Sequence, residues 1–339
     1  MKAVGYPKPQ PIDHPDALID IQLPEPVACG RDLLVEVQAV SVNPLDTKVR
    51  KRTAPDEGQA HKVLGWDASG TVRAVGPEVT LFKPGDRVWY AGSIARAGTN
   101  SELHLVDERI VGHMPASLDF AQAAALPLTA ITAWEMLFDR FGVAPGKQPT
   151  HQSLLIIGAA GGVGSILTQL AARLTSLTVI GTASRPETQA WVKELGAHHV
   201  IDHGKPLTEE LRRIGFATVG LIAGLTQTDA HFDQIVEAIA PQGKFGLIDD
   251  PASMDIKKFK RKSVSVHWEL MFTRALFGTD DMIGQHRLLN EVAALVDAGL
   301  IRTTLAEHFG PINAANLKRA HALIESGKAR GKVVLEGWD

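Results

Sequence analysis

Cysteine is nearly absent from the 339-residue chain, where Cys29 stands alone. A single thiol excludes an intramolecular disulfide and any multi-cysteine zinc site, and it fits a reducing, cytoplasmic setting. Tyrosine is as scarce, with only Tyr6 and Tyr90, so few phenols could act as acids. Long apolar runs are missing: no stretch of about eighteen apolar residues occurs, and the N-terminal MKAVGYPKPQ is interrupted by prolines and lacks the apolar core of a secretory signal. Strong charge of one sign is missing too. The formal charge is -3, and the longest basic cluster, KKFKRK at Lys257–Lys262, is short. We read it as a solvated face, and expect neither nucleic acid nor an anionic membrane as partner.

What is present is ample apolar material, 45% of residues, in a length that predicts two domains. Up to about residue 128, alternating valines with Gly and Pro, as in LLVEVQAVSVN and ASGTVRAVG, predict a β-rich region. From there short apolar strands (LLII at 154, LTVIGTAS at 177, HHVIDH at 198, TVGLIAG at 218, KFGLID at 244) alternate with helical stretches, the pattern of a doubly wound parallel sheet. Two amphipathic helices, from His286 and Asn313, and a final strand KVVLEGW complete the chain.

The stretch SLLIIGAAGGVGSILTQLAARLT carries the clearest chemistry. A buried strand at Leu154–Ile157 runs through glycines into a helix over Ser165–Thr175. Such a turn binds a pyrophosphate: Ala160, Gly161, Gly162 and Val163 bring backbone close to the phosphates, Gly164 lets helix pack on strand, and the helix N-terminus offers N–H groups to the anion. The usual G-x-G-x-x-G is altered, since the residues in register are Ala159, Gly161 and Gly164. About twenty residues on, an acid would accept from a ribose 2′-hydroxyl; Ser184 and Arg185 stand there instead. They favour a 2′-phosphate, hence NADPH, and the competing reading is that Arg185 merely starts a surface helix.

Taken together, VLGWDASGTVRAVGPEVTLFKPGDRVW (63–89), VSVNPLDTKVR (40–50), the GAAGGVG turn and HALIESGKARGKVVLEGW resemble the medium-chain dehydrogenase/reductase superfamily across essentially the whole chain. Within it, HWELMFTRALF and AHFDQIVEAIAPQGKFGLIDDP are similar to the quinone oxidoreductase-like branch and its bacterial zinc-type alcohol dehydrogenase-like proteins. The resemblance implies an α/β protein with a GroES-like catalytic domain (residues 1–128 and 271–339) around a Rossmann domain (129–270), the active site in the cleft between them, and nucleotide domains pairing edge to edge in a homodimer, for which KFGLID is the candidate strand.

Where zinc-dependent relatives carry a ligand Cys this chain has Asn43, and where they have Gly-His-Glu it has Gly65-Trp66-Asp67. The four-cysteine structural lobe is missing as well, so no metal is expected. Without a Lewis acid the suited acceptors are quinones and α,β-unsaturated carbonyls, which spread hydride charge onto a conjugated oxygen. By resemblance, Asn43 is the candidate donor to that oxygen or to the nicotinamide, with a turn-forming role as its alternative. Thr132 is expected to contact the nicotinamide, and Trp66 to form an apolar wall. His267, Trp268 and Phe272 are expected near the pocket or in the core, and Asp46 to fix local structure. Lys48 occupies the family's tyrosine position, which leaves solvent as the proton source and Tyr90 as the weaker option. A zinc alcohol dehydrogenase and a non-catalytic NADPH-binding protein remain the alternatives.

Overall fold

The computed structural model describes residues 1–339. The chain divides into two compact units, Thr132–Met271 and the pair of segments Met1–Ile131 and Phe272–Asp339.

The inserted unit is built on six parallel strands: β1 (Ser153–Ile157), β2 (Thr178–Thr182), β3 (His199–Ile201), β4 (Val219–Gly224), β5 (Ile239–Leu247) and β6 (Ser265–Trp268). Their order is β3-β2-β1-β4-β5-β6, so the direction of winding reverses between β1 and β4. At that switch point an open sheet of this kind binds its ligands, outside the carboxyl ends of the strands. Every residue of β1 is buried, as a central strand covered on both faces requires.

The KFGLID segment is an interior strand, not an edge. Its residues pair with β4 on one side and with β6 on the other, Lys244 opposite Ser265 and Leu247 opposite Trp268. The edge is SVHW, four residues with mixed exposure and too short a run to announce itself by alternation. The basic KKFKRK cluster forms a 3-10 turn with a defined task at one residue: Lys262 Nζ donates to the carbonyls of Val236, Glu237 and Ile239 at 2.8, 2.8 and 2.6 Å, closing the orphan carbonyls at the C-terminus of the Thr228–Ala238 helix.

In the other unit the long strand Asp32–Val42 is central. It pairs antiparallel with Ala68–Val75, with Leu103–Asp107 and with the C-terminal strand Lys332–Glu336. Two registers matter. Val333 lies opposite Val42, which sets Lys332 beside Asn43, and Val40 lies opposite Ala68, which sets Asp67 beside Ser41. No helix is long and apolar enough to cross a membrane.

Candidate functional site

The glycine turn of the inserted unit is a cradle with a definite shape. Gly158 follows β1 at φ +83°, a conformation that favours glycine, and its N–H donates to Thr182 Oγ1 of β2 at 3.1 Å. The helix runs Gly162–Leu174 with Gly161 as N-cap, so it begins three residues before the Ser165 start expected from apolar spacing. Its first turn is made of small residues that carry no periodic signal. Ala160, Gly161, Gly162 and Val163 are all partly exposed, while Ala159 and Gly164 are buried. A Cβ on Gly164 would come within 2.4 Å of Gly158 O and 2.6 Å of Ala159 Cα, whereas one on Gly161 would meet only Gly158 O at 3.5 Å. Gly164 is therefore fixed by packing of helix on strand, and Gly161 leaves open space in front of the first turn of the helix, whose N–H groups have no intrahelical acceptor. These features suit a phosphate of a bound dinucleotide.

At the carboxyl end of β2, Ser184 is exposed and Arg185 half-buried. Arg185 is the N-cap residue of the Pro186–Glu194 helix, and its Nε lies 3.2 Å from Glu187 Oε1. The two side chains keep 40% and 55% of their surface in solvent, so this ion pair is weak.

In the other unit, the residues standing where zinc-dependent relatives keep their ligands form a closed hydrogen-bonded cluster. Asn43 precedes Pro44 at the start of the Pro44–Arg52 helix, and Asp46 accepts from Asn43 N at 2.6 Å and from Gly65 N at 3.0 Å. Burial pushes the Asp46 carboxyl up to about 7, with those two N–H donors and Lys332 working against it. Asp67 is completely buried and fully used: Oδ2 accepts from Ser41 Oγ (2.8 Å), Asn43 Nδ2 (2.9 Å) and Lys332 Nζ (2.9 Å), and Oδ1 accepts from Leu128 N (2.7 Å). Lys332 also donates to Asn43 Oδ1 at 2.5 Å and to Val42 O at 3.4 Å.

This arrangement revises the role expected of Asn43. Its amide points inward, with Nδ2 directed at Asp67 and at Trp66 O (3.5 Å) and with Oδ1 on Lys332. Its donors are committed to the protein itself.

Trp66 is 1% exposed, donates from Nε1 to Ser93 O at 3.3 Å, and meets Phe272 edge to face at 6.3 Å. The structure thus brings together two residues that were expected separately. Tyr90 donates to His104 Nδ1 at 3.1 Å, and His104 Nε2 bonds Ala97 O at 3.0 Å. Burial raises the Tyr90 phenol far above its ordinary value and lowers His104 to about 4. A phenol so enclosed is a poor proton donor.

Thr132 is buried on the Pro127–Trp134 helix, the first residue of the inserted unit. His267 lies on β6 against Phe141, and Trp268 is 55% exposed.

Zinc does not fit this donor set. No three His, Cys, Asp or Glu side chains converge, an indole offers no ligand atom, and the one carboxylate in place is saturated by an ammonium and three other donors. A cavity of about 170 Å³ in the same unit holds Arg96 and Arg109, but each is already paired, with Asp32 and with Asp107 at 2.7 Å.

Sequence reasoning missed Gly158, Ser41 and Lys332. The lysine heads a strand whose next three residues are fully buried, an odd place for a charge and the only local sign of its partner.

Comparison with known proteins identifies the family. Residues 30–125 match the alcohol dehydrogenase GroES-like domain, and residues 195–335 match the zinc-binding dehydrogenase domain. A zinc-type alcohol dehydrogenase-like protein of Staphylococcus aureus is 39% identical over 337 residues, covering 99% of each chain. The human mitochondrial NAD(P)H oxidoreductase is 30% identical, over 90% of this chain and 81% of its own. Among solved structures, a Rhizobium etli chain described as a candidate zinc-dependent alcohol dehydrogenase superposes with TM-score 0.95 at 61% identity, covering 100% of this chain and 98% of that one. A mycobacterial protein in complex with NADPH gives TM-score 0.84 at 26% identity, with 99% of both chains covered.

Proposed function

The chain belongs to the medium-chain dehydrogenase/reductase superfamily, and from that premise we propose that it is an NADPH-dependent reductase of quinones or α,β-unsaturated carbonyls that works without a metal. The observation that carries this reading is the Asn43–Asp67–Lys332 cluster: the positions of a catalytic zinc are filled by an amide, an indole and a neutralised carboxylate. Likeness to a mycobacterial NADPH complex and to a Pseudomonas quinone oxidoreductase at 25% identity supports it.

Bound NADPH supplies a hydride. Ala160–Gly164 would hold its pyrophosphate on backbone N–H groups, and Ser184 with Arg185 would hold the 2′-phosphate, where no carboxylate replaces them at the end of β2. A lone carbonyl needs polarisation that this donor set does not provide. A conjugated acceptor delocalises the incoming charge by itself, so positioning against an apolar wall of Trp66 and Phe272 does most of the work. Asn43 acts by holding that wall: its Nδ2 reaches Trp66 O, and its other bonds tie Asp67 to Lys332. With Tyr90 locked onto His104, water delivers the proton.

The test is a panel of quinones, enones and simple aldehydes with NADPH and NADH, run with and without chelator. Turnover of the conjugated acceptors with NADPH, unaffected by chelator, is expected. A requirement for stoichiometric zinc would overturn the proposal in favour of an alcohol dehydrogenase.

A further inference from the structure

Two buried carboxylates meet one partly exposed guanidinium in the inserted unit, away from the glycine turn. Glu135 is 1% and Glu269 3% exposed. Arg140 reaches both, with Nε 2.8 Å from Glu269 Oε2 and Nη2 3.5 Å from Glu135 Oε2. Glu135 and Arg140 are five residues apart, which an α-helix would set about 140° apart around its axis. Here the segment Glu135–Arg140 is a π-helical turn, closed by Phe141 N donating to Met136 O at 3.0 Å. The wider turn brings acid and base to one face, and such turns frequently mark functional sites.

The place of the cluster gives it meaning. Glu269 follows the last residue of β6, and its N–H donates to Leu247 O at the end of β5. It therefore sits on the carboxyl edge of the sheet, the side where ligands bind. A dinucleotide with its pyrophosphate at β1 and its 2′-end over β2 runs its other half toward β4, β5 and β6, strands spaced about 4.8 Å apart. Glu135 lies three residues after Thr132 on the same helical segment. Charges do not balance if both acids ionise. Lys244, whose Nζ donates to Phe141 O at 2.5 Å, keeps its charge but acts on His267, whereas the charges felt by Glu269 are those of Glu135 and Arg140; Asp139 is exposed; and desolvation, with the nearby Lys244 and Arg140 charges, lowers the His267 imidazole. Desolvation, then repulsion from Glu135, raises the Glu269 carboxyl well above its usual range against the pull of Arg140.

We propose that Glu135 and Glu269 share a single proton under Arg140, and that release of this proton makes the protein's preference for oxidised over reduced cofactor rise with pH. With the proton in place the three side chains sum to zero charge; when it leaves to solvent they carry one negative charge. The nicotinamide ring is cationic in NADP⁺ and uncharged in NADPH, so the ionised cluster favours NADP⁺. This rests on the NADPH reading above.

The experiment compares wild type with Glu269→Gln, which keeps the shape and cannot ionise, and with Glu135→Gln should the first variant fold poorly. Dissociation constants for NADP⁺ and NADPH are measured from about pH 6 to about pH 10; their ratio cancels the titration of the shared 2′-phosphate. In wild type the NADP⁺ preference is expected to grow roughly tenfold across that range, and to stay flat in the variant. A parallel trend in both proteins overturns the proposal. Thermal unfolding without cofactor tests the proton separately. A carboxyl raised in the folded state loses stability as pH rises from its unfolded value of 4.5 toward about 9, so the melting temperature of the variant should gain on wild type over that window. A constant difference would mean no shared proton. Failure of both proteins to bind either cofactor, with the thermal trend intact, would overturn instead the nicotinamide reading and the cofactor half of the proposal with it.

Discussion

Lys332 donates to Asp67 at 2.9 Å across 265 positions of sequence, with both side chains buried. The bond ties the last strand of the chain to the loop that carries Trp66, and with Asn43 it closes a buried hydrogen-bonded cluster.

Removing one partner of such a pair leaves an uncompensated buried charge. Lys332→Met should destabilise the protein by about 3–5 kcal/mol in chemical denaturation. The double variant Lys332→Met with Asp67→Asn should recover part of that loss. Additive losses would show that the two residues are not energetically coupled.

Asn43→Ala leaves Asp67 and Lys332 each one bond short. We expect a loss of about 1–3 kcal/mol in stability, with lower turnover following from a displaced Trp66 and with NADPH affinity nearly unchanged. Unaltered stability alongside reduced kcat would point to direct contact between this amide and the acceptor.

The glycine turn separates packing from binding. Gly164→Ala drives a Cβ to 2.4 Å from Gly158 O and should lower the melting temperature as well as cofactor affinity. Gly161→Ala has room within the protein and should fold normally, yet weaken NADPH binding by crowding the phosphates. Equal NADPH affinity in wild type and Gly161→Ala would remove this turn from the cofactor site.

Arg185 at the end of β2 is expected to make NADPH bind more tightly than NADH, and Arg185→Ala to erase much of that difference, roughly 1.5–3 kcal/mol for one charge-assisted contact. Glu187 competes for the guanidinium, so Glu187→Gln should tighten NADPH binding modestly. Matching dissociation constants for the two cofactors in wild type would contradict the assignment.

The six-stranded sheet ends on β3 at one edge and on β6 at the other, and β6 carries the exposed Trp268. An exposed edge strand is a template for pairing, and we expect a homodimer formed there about a two-fold axis. Sedimentation should give twice the chain mass, falling to the monomer on Trp268→Lys. A monomer in wild type would refute this.

Local sequence determined a good deal. The apolar run at β1, the glycines after it and the helix behind them needed only chain order to predict the strand, turn and helix found there, because each residue acts through its own backbone. The absence of ligand-competent side chains at positions 43 and 66 was equally readable, since no fold can turn an indole into a zinc ligand. Tertiary structure decided the rest. Whether Asn43 faces a ligand or its own protein depended on Lys332, which strand register alone delivers to it. KFGLID became interior only because a four-residue strand pairs beyond it. Glu135 and Glu269 became one site through a π-helical turn and a sheet edge brought together from distant parts of the chain. Periodicity reports how a residue meets its near neighbours, whereas a buried charge is settled by the partner that packing places against it.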